Sequence, residues 1–361
     1  MIPILNKGIS TIKNDGLIVF ALRTFNFSIV KFKRLIGKGG NIDYKKWDNL
    51  KDRYKGQRIF IVGNGPSLNK MPLYLLKDEY KMCFNRFNLM YDRLNWKPDF
   101  YTVIDDLVVK DNYKEINEEI LPYVNEAFFP DIHPSNVDFF RYIDNRPNVN
   151  WFIADEPKFH ADLPKCGHNK TVVNAGLQIA AWLGFTEIYL IGVDMTFGEQ
   201  KVKKLNSRDW EAGEDDPNHF DPRYFKKGRK YHNPTVHEMI EKFEDAKIFF
   251  DQLGVKVFNA GVGGKLEVFP RVEFNSLFNY TDSQLIDLLN SIENLKKIGK
   301  TFTYIEQNTE HYKSIESLPD MFKTGTDIGA KLIPQLIGKY NPIGPYKNLY
   351  YFVKAESNIQ L

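Results

Sequence analysis

The sequence predicts a doubly wound α/β fold: a mostly parallel, Rossmann-like sheet with helices on both faces and with helical N- and C-terminal extensions. Two observations predict it. From Arg58 onward, short apolar runs of strand length recur, and they alternate with stretches of helical periodicity such as 172–184 and 236–253. The 361 residues, 43% hydrophobic and 14% aromatic, supply ample apolar surface for the core of such a sheet.

In chain order, residues 1–50 form a basic amphipathic segment. Its first 40 residues hold seven cations (Lys7, Lys13, Arg23, Lys31, Lys33, Arg34, Lys38) and one anion, Asp15, among many apolar side chains. Such a segment suits helices lying on an anionic membrane surface or packed as an arm on their own domain. The apolar run Leu17–Leu22 is too short to span a bilayer, and no small-x-small cleavage site follows it. The cluster Gly37-Lys38-Gly39-Gly40-Asn41 reads as a linker.

Residues 51–275 are the predicted catalytic domain. Its strands are expected at Arg58–Gly63, Lys81–Asn85, Phe100–Asp105, Ala127–Phe129, Trp151–Ala154, Glu187–Asp194 and Lys256–Asn259. Between them, 198–234 carries nine Lys/Arg, seven Asp/Glu and few aliphatics, and is expected to be a lid loop over the site. In 276–361, the spacing of Leu277, Leu285, Leu288, Leu289, Ile292, Leu295 and Ile298 predicts a helix.

A net charge of only +3 excludes a protein that coats nucleic acid by charge. Two cysteines, Cys83 and Cys166, make neither a disulfide framework nor a zinc site, which points to a reducing, cytoplasmic compartment.

The strongest motif is Gly63-Asn64-Gly65-Pro66-Ser67, where the first strand runs into a glycine turn. Glycines let the backbone approach a phosphate closely, although the spacing lacks the third glycine of the dinucleotide fingerprint. Asn85 and Arg86 end the second strand, Asp105 and Asp106 the third, and Gly192 and Asp194 the strand after the 172–184 helix. All are expected at the carboxyl edge of the sheet, where open α/β sheets bind ligands. Asn174 enters that helix as a further amide donor. Each of these positions also has a plain reading as a turn, a cap or a packing residue. His232, at the end of the polar loop and before the capping box Thr235-Val236-His237-Glu238, is a candidate general base.

In this order, IVGNGPSL, FNRF, NAGLQIAAWLGFTEIYLIGVD and then a histidine before a helix, the chain resembles the bacterial sialyltransferases of glycosyltransferase family 42 over about 57–262. It is similar also to the related domain, formerly of unknown function, of flagellin-glycosylation accessory factors and of MptE-like hydroxymethylpterin pyrophosphokinases. The resemblance to the sialyltransferases implies a CMP-activated nonulosonate donor, inverting transfer to a glycan hydroxyl (lipid-linked acceptors included), and no cofactor. It places Asn64 and Asn85 on the donor nucleotide and makes His232, with His237 as the competitor, the base. It also implies surface-polysaccharide or glycoprotein assembly at the inner face of the cell membrane, with homo-oligomers among the expected forms.

The family's two phosphate-binding tyrosines have no match after Asp194, where Met195, Thr196 and Phe197 stand; Tyr224, Arg229 and Tyr231 are the substitutes available. The acidic pair stands where those proteins show an amide. It keeps open a Mg²⁺-dependent pyrophosphokinase with Asp105, Asp106 and Asp194 as metal ligands, and a nucleotide-binding module without catalysis is the third reading.

Overall fold

The structure is a computed structural model. It describes residues 11–278 except 14, 36–39, 95, 132, 156, 157 and 199, and beyond them 302–305, 318–325, 332, 336, 339–346 and 349–354. After helix α1 (Leu17–Leu35) and helix α2 (Tyr44–Leu50), strands β1 (Arg58–Val62), β2 (Tyr80–Phe84) and β3 (Phe100–Thr102) are laid down in turn. Helix α3 (Asp106–Glu115), which runs on into a π-helical turn at Ile116–Ile120, leads to β4 (Glu126–Pro130), β5 (Val149–Asp155) and β6 (Lys165–Gly167). Helix α4 (Val172–Trp182) then carries the chain back across the sheet to β7 (Glu187–Ile191). Three short strands, β8 (Val202–Lys204), β9 (Asp209–Ala212) and β10 (Lys230–His232), precede helix α5 (Val236–Gln252) and β11 (Lys256–Asn259).

The main sheet has eight strands in the order β11-β7-β1-β2-β3-β4-β5-β6, every pair parallel. Strand order therefore reverses at β1: the chain walks outward to β6 and returns on the other side as β7. That reversal leaves a crevice beyond the carboxyl ends of β1 and β7.

Alternation along the strands makes the two faces. Ile59, Ile61, Met82, Phe84, Ile188 and Leu190 point to the face covered by α2, α4 and α5, whereas Phe60, Val62, Cys83, Tyr189 and Ile191 point to the other. Gly176 lets α4 sit close on the first face, since a Cβ there would come 2.7 Å from the Phe84 ring. Trp47 of α2 ties the layers by donating from its indole to the carbonyl of Trp151 at 2.8 Å.

All seven expected strands form. Two parts differ from expectation. The polar stretch 198–234 is not an irregular loop; it folds into an antiparallel β8-β9-β10 sheet. Its strands are only three or four residues long and rich in charge, so alternation does not betray them. At the C-terminus, the described residues form a four-stranded sheet of β12 (Thr303–Tyr304), β13 (Met321–Gly325), β14 (Tyr340–Tyr346) and β15 (Leu349–Lys354), which no sequence motif announced. Aromatic and β-branched residues such as those of β15, Leu-Tyr-Tyr-Phe-Val-Lys, favour a pleated surface. The helix expected over 277–298 lies outside the described residues, apart from Leu277 at the end of a 3₁₀ turn and Phe278. Among the described residues no helix is long and apolar enough to cross a membrane.

Candidate functional site

The glycine turn lies at the reversal point because the chain has no room for side chains there. The Gly65 amide donates to the carbonyl of Gly192 at 2.8 Å, and a Cβ on Gly63 would lie 2.3 Å from that same oxygen. Gly192 itself takes φ +63°, a left-handed conformation that favours glycine. Asp194, expected to face a ribose or a metal, is turned inward instead. Its carboxylate accepts from the Ser67 amide at 2.9 Å and from the Ser67 hydroxyl, so it fixes the 3₁₀ turn Pro66–Lys70. The proposed metal set Asp105, Asp106 and Asp194 is thereby broken.

Arg86, expected on the nucleotide, is buried and points into the polar insertion. It donates to the carbonyls of Arg223 (2.5 Å) and Tyr224 (2.8 Å) and pairs with Glu115 at 3.3 Å. Tyr224 is buried as well, stacked on His219 at 3.9 Å. Tyr231 stacks on Phe225 and donates to Gln200 Oε1 at 3.0 Å, and Arg229 donates to Asn112 Oδ1 of α3 at 2.8 Å. These three, expected together on a leaving phosphate, each have a separate protein partner. Arg229, and Tyr224 through its carbonyl, tie the insertion to the domain, whereas Tyr231 packs within the insertion.

The amides behave differently. Asn64, Asn85 and Asn174 each keep a buried side-chain oxygen with no hydrogen-bond partner, although Asn174 is fully buried and donates to the Asn169 carbonyl at 3.0 Å. Buried acceptors are ordinarily satisfied, so these three oxygens are open to a donor from a ligand or water, as are those of Asn136, Asn150 and Asn169. Asn85 also holds φ +52°, a strained position for a residue with a side chain, and its carbonyl accepts from Tyr101 Oη at 2.5 Å.

His232 stands at the centre of a charged cluster. Antiparallel pairing sets it directly opposite Asp209, and His232 Nδ1 lies 2.9 Å from Asp209 Oδ1. This holds the ring with Nε2 toward α3: Nε2 is 3.6 Å from Asp105 Oδ1, 3.5 Å from Asp106 Oδ1 and 2.9 Å from an Arg208 guanidinium nitrogen. Asp105 caps α3 by accepting from the amides of Leu107 and Val108. Asp106 is buried and takes Lys110 at 2.9 Å and Arg208 at 3.2 Å, with His133 Nδ1 at 3.8 Å. His237, the competing base, lies on the first turn of α5, its side chain 88% exposed and paired with Glu241 at 3.3 Å.

Electrostatics follow from this geometry. Burial disfavours the His232 imidazolium, but the Asp106 hydrogen bond and the Asp105 charge outweigh it and raise the group above its ordinary value. Asp106 is held well below the carboxylate range: burial opposes this, and His232, His133 and Lys110 override it. Burial raises Asp105, with Asp106 adding to the rise against the pull of His232. His133 and His168, rings 5.4 Å apart, are pushed down to about 3 and about 4, chiefly by burial, and both stay neutral.

One prediction arises here. Asp106→Asn is expected to bring the His232 titration back toward its ordinary value, as read from its ring resonances by NMR. Because the folded-state value is raised, the stability the pair contributes is present below the unfolded value and lost as pH rises through the folded one; the variant should lack that loss.

Asp105, Asp106 and His232 offer ligand atoms within 4.8 Å of one another. As a set of three they are a poor Mg²⁺ site, since Mg²⁺ takes oxygens, one or two carboxylates completed by water and substrate phosphate. One of the three atoms is an imidazole nitrogen, and the Arg208 guanidinium already lies against both that nitrogen and Asp106.

Arg208, Asp209, His133 and His168 are members of this cluster that sequence reasoning missed. No motif marks them, and only the β9–β10 register brings Asp209 to His232. A cavity of about 440 Å³ opens at the opposite, amino-terminal edge of the sheet beside Arg58, Glu79 and Glu187. It lies away from this chemistry, and Arg58 is already paired with Glu79 at 2.5 Å.

Fold and site thus define an α/β protein with a ligand crevice at the reversal of a parallel sheet. Residues 36–200, just under half of the chain, match the family model described as 6-hydroxymethylpterin diphosphokinase MptE-like, within the superfamily that the motifs resemble. Among solved structures, the MAf glycosyltransferase from Magnetospirillum magneticum AMB-1 aligns at 16% identity over 67% of this chain, with a TM-score of 0.39; the chain spans only 40% of that protein's length. The sialyltransferase CST-II, in complex with a trisaccharide acceptor and CMP, aligns at 17% identity over 62% of this chain and 89% of its own, with a TM-score of 0.34. CstII from Campylobacter jejuni in complex with cytidine-5'-monophosphate gives 17% identity, 59% and 84% coverage, and a TM-score of 0.31. A search of curated proteins gives no match.

Proposed function

We propose that the protein is a glycosyltransferase that moves a sugar, with inversion, from a nucleotide-activated donor to a sugar hydroxyl. The donor in this reading is the CMP-activated nonulosonate that the motifs imply, the acceptor is a glycan, and the work belongs to surface-polysaccharide or glycoprotein assembly. The observation that carries it is the His232–Asp209 pair beside unpaired buried amides of the carboxyl edge. With Nδ1–H donated to Asp209, Nε2 of the neutral ring holds the lone pair, which accepts from Arg208 at 2.9 Å in this structure; in this reading Arg208 swings from it to the donor phosphate when the acceptor hydroxyl binds. Nε2 takes the proton from the acceptor hydroxyl as that oxygen attacks the anomeric carbon, and the bond to the phosphate oxygen breaks with its electron pair leaving on the nucleotide. Arg208, beside the base, takes the part of phosphate partner first allotted to Tyr224, Arg229 and Tyr231.

A magnesium-dependent pyrophosphokinase is the second reading, favoured by the description of the family that matches 36–200. That match ends before Arg208, Asp209 and His232, the residues on which the first reading turns.

Thermal shift separates the two, since a ligand that binds only the folded state at a hundredfold excess over its Kd stabilises it by about 2.7 kcal/mol. CMP is expected to raise the melting temperature without added metal, with Asn64→Ala and Asn85→Ala abolishing the rise. Stabilisation by ATP only with Mg²⁺, and none by CMP, would replace this reading with the kinase.

A further inference from the structure

Helix α1 contains no acidic residue, and it presents an apolar stripe to the outside: Ile18 is 77% exposed, Leu22 57%, Phe25 63% and Phe32 60%. Their spacing of four, three and seven residues puts them on one side of the helix, and Leu17, 67% exposed, widens the arc. Off this arc, Val30 is buried and Phe27 is 48% exposed. A soluble surface rarely displays so many large apolar side chains in one row.

The same helix is tied to the candidate site. Asp15, just before it, accepts from the Ser207 amide at 2.7 Å and from the Ser207 hydroxyl, and also pairs with Arg23 at 3.0 Å. Ser207 is the neighbour of Arg208, whose guanidinium lies 2.9 Å from His232 Nε2.

We propose that α1 docks by this stripe on an anionic lipid surface, and that docking steadies the turn 205–209 through the Asp15–Ser207 bonds, so that the site is completed at the membrane face. Charge chooses the occupant. The helix has no acid of its own and carries Lys31, Lys33 and Arg34 beyond the Arg23 that Asp15 compensates, so a second copy packed along the stripe would set like charges against each other, whereas anionic headgroups complement them. The helix lies on the bilayer: it is not apolar enough to cross it.

The test uses the full chain with vesicles of phosphatidylcholine alone or mixed with phosphatidylglycerol, read by co-sedimentation and by hydrogen exchange of the peptide covering 205–209. Binding is expected only to the anionic vesicles, with slowed exchange in that peptide. Ile18→Glu/Phe25→Glu should weaken binding by roughly tenfold or more, with exchange of the main-sheet strands unchanged as the control for folding. Asp15→Ala, which removes the acceptor of both Ser207 bonds, should still bind vesicles but lose the slowed exchange. Equal sedimentation of wild type and double variant would overturn the docking, as would a wild-type dimer that the double variant dissolves without any vesicle binding. Vesicle binding with no change at 205–209 would overturn the coupling. None of these readouts depends on which group the protein transfers.

Discussion

Replacing His232 with alanine is expected to lower turnover by roughly 10²–10⁴-fold while leaving the CMP-dependent rise in melting temperature intact. The size follows from removing the group that takes the acceptor proton, and the preserved binding follows from geometry. The hydrogen bonds and ion pairs of His232 go to Asp209, Asp105, Asp106 and Arg208, and none involves Asn64, Asn85 or Asn174. The pH profile gives a second check. A base must be neutral to act, and the acidic pair raises His232, so the rate should climb through a value above the ordinary histidine range of about 6.5. In Asp106→Asn that rise should move to lower pH. An unchanged profile in the variant, or full activity in His232→Ala, would remove His232 from the reaction.

Gly63→Ala is expected to cost about 3 kcal/mol of stability and to abolish nucleotide binding. A Cβ there meets Gly192 O at 2.3 Å and Gly192 C at 2.8 Å. Both atoms are backbone at the end of β7, so relief requires β1 and β7 to part at the crevice where the nucleotide is proposed to sit. Gly198→Ala is the control: its Cβ would meet only Asn218 Oδ1, at an ordinary 3.6 Å, and its effect should stay within about 0.5 kcal/mol. Chemical denaturation of the two variants and a CMP thermal shift on each provide the measurement. Equal stability of both would show that the turn has slack and is no tight cradle.

Much of the architecture was legible in the chain because strands and helices that pack against one sheet carry local signals. The apolar runs from Ile59 to Val62 and from Ile188 to Ile191 announced strands, and the glycines after them announced a crevice. The residue types at the carboxyl edge were legible for the same reason, since a strand end followed by Gly, Asn or Asp is a local pattern. The short strand Lys165–Gly167 and the sheet of the polar insertion were not, because runs of three or four residues carry too little alternation to read.

What the sequence by itself determined is the parallel α/β fold, the position of the glycine turn at its edge, and the presence of amides, acids and a histidine to furnish a site. Only the tertiary structure decided which of them meet. Asp194, Arg86 and Tyr224 look as exposed to a ligand in sequence as Asn64 does, yet hydrogen bonds to Ser67 and to the carbonyls of Arg223 and Tyr224, and the stack of Tyr224 on His219, take them up within the protein. His232 was separated from His237 by a strand register that sets it opposite Asp209 and beside Asp106. Such pairings join residues 23 to 138 positions apart, and a side chain's partner at that range is set by how whole elements pack, for which no local pattern exists to be read.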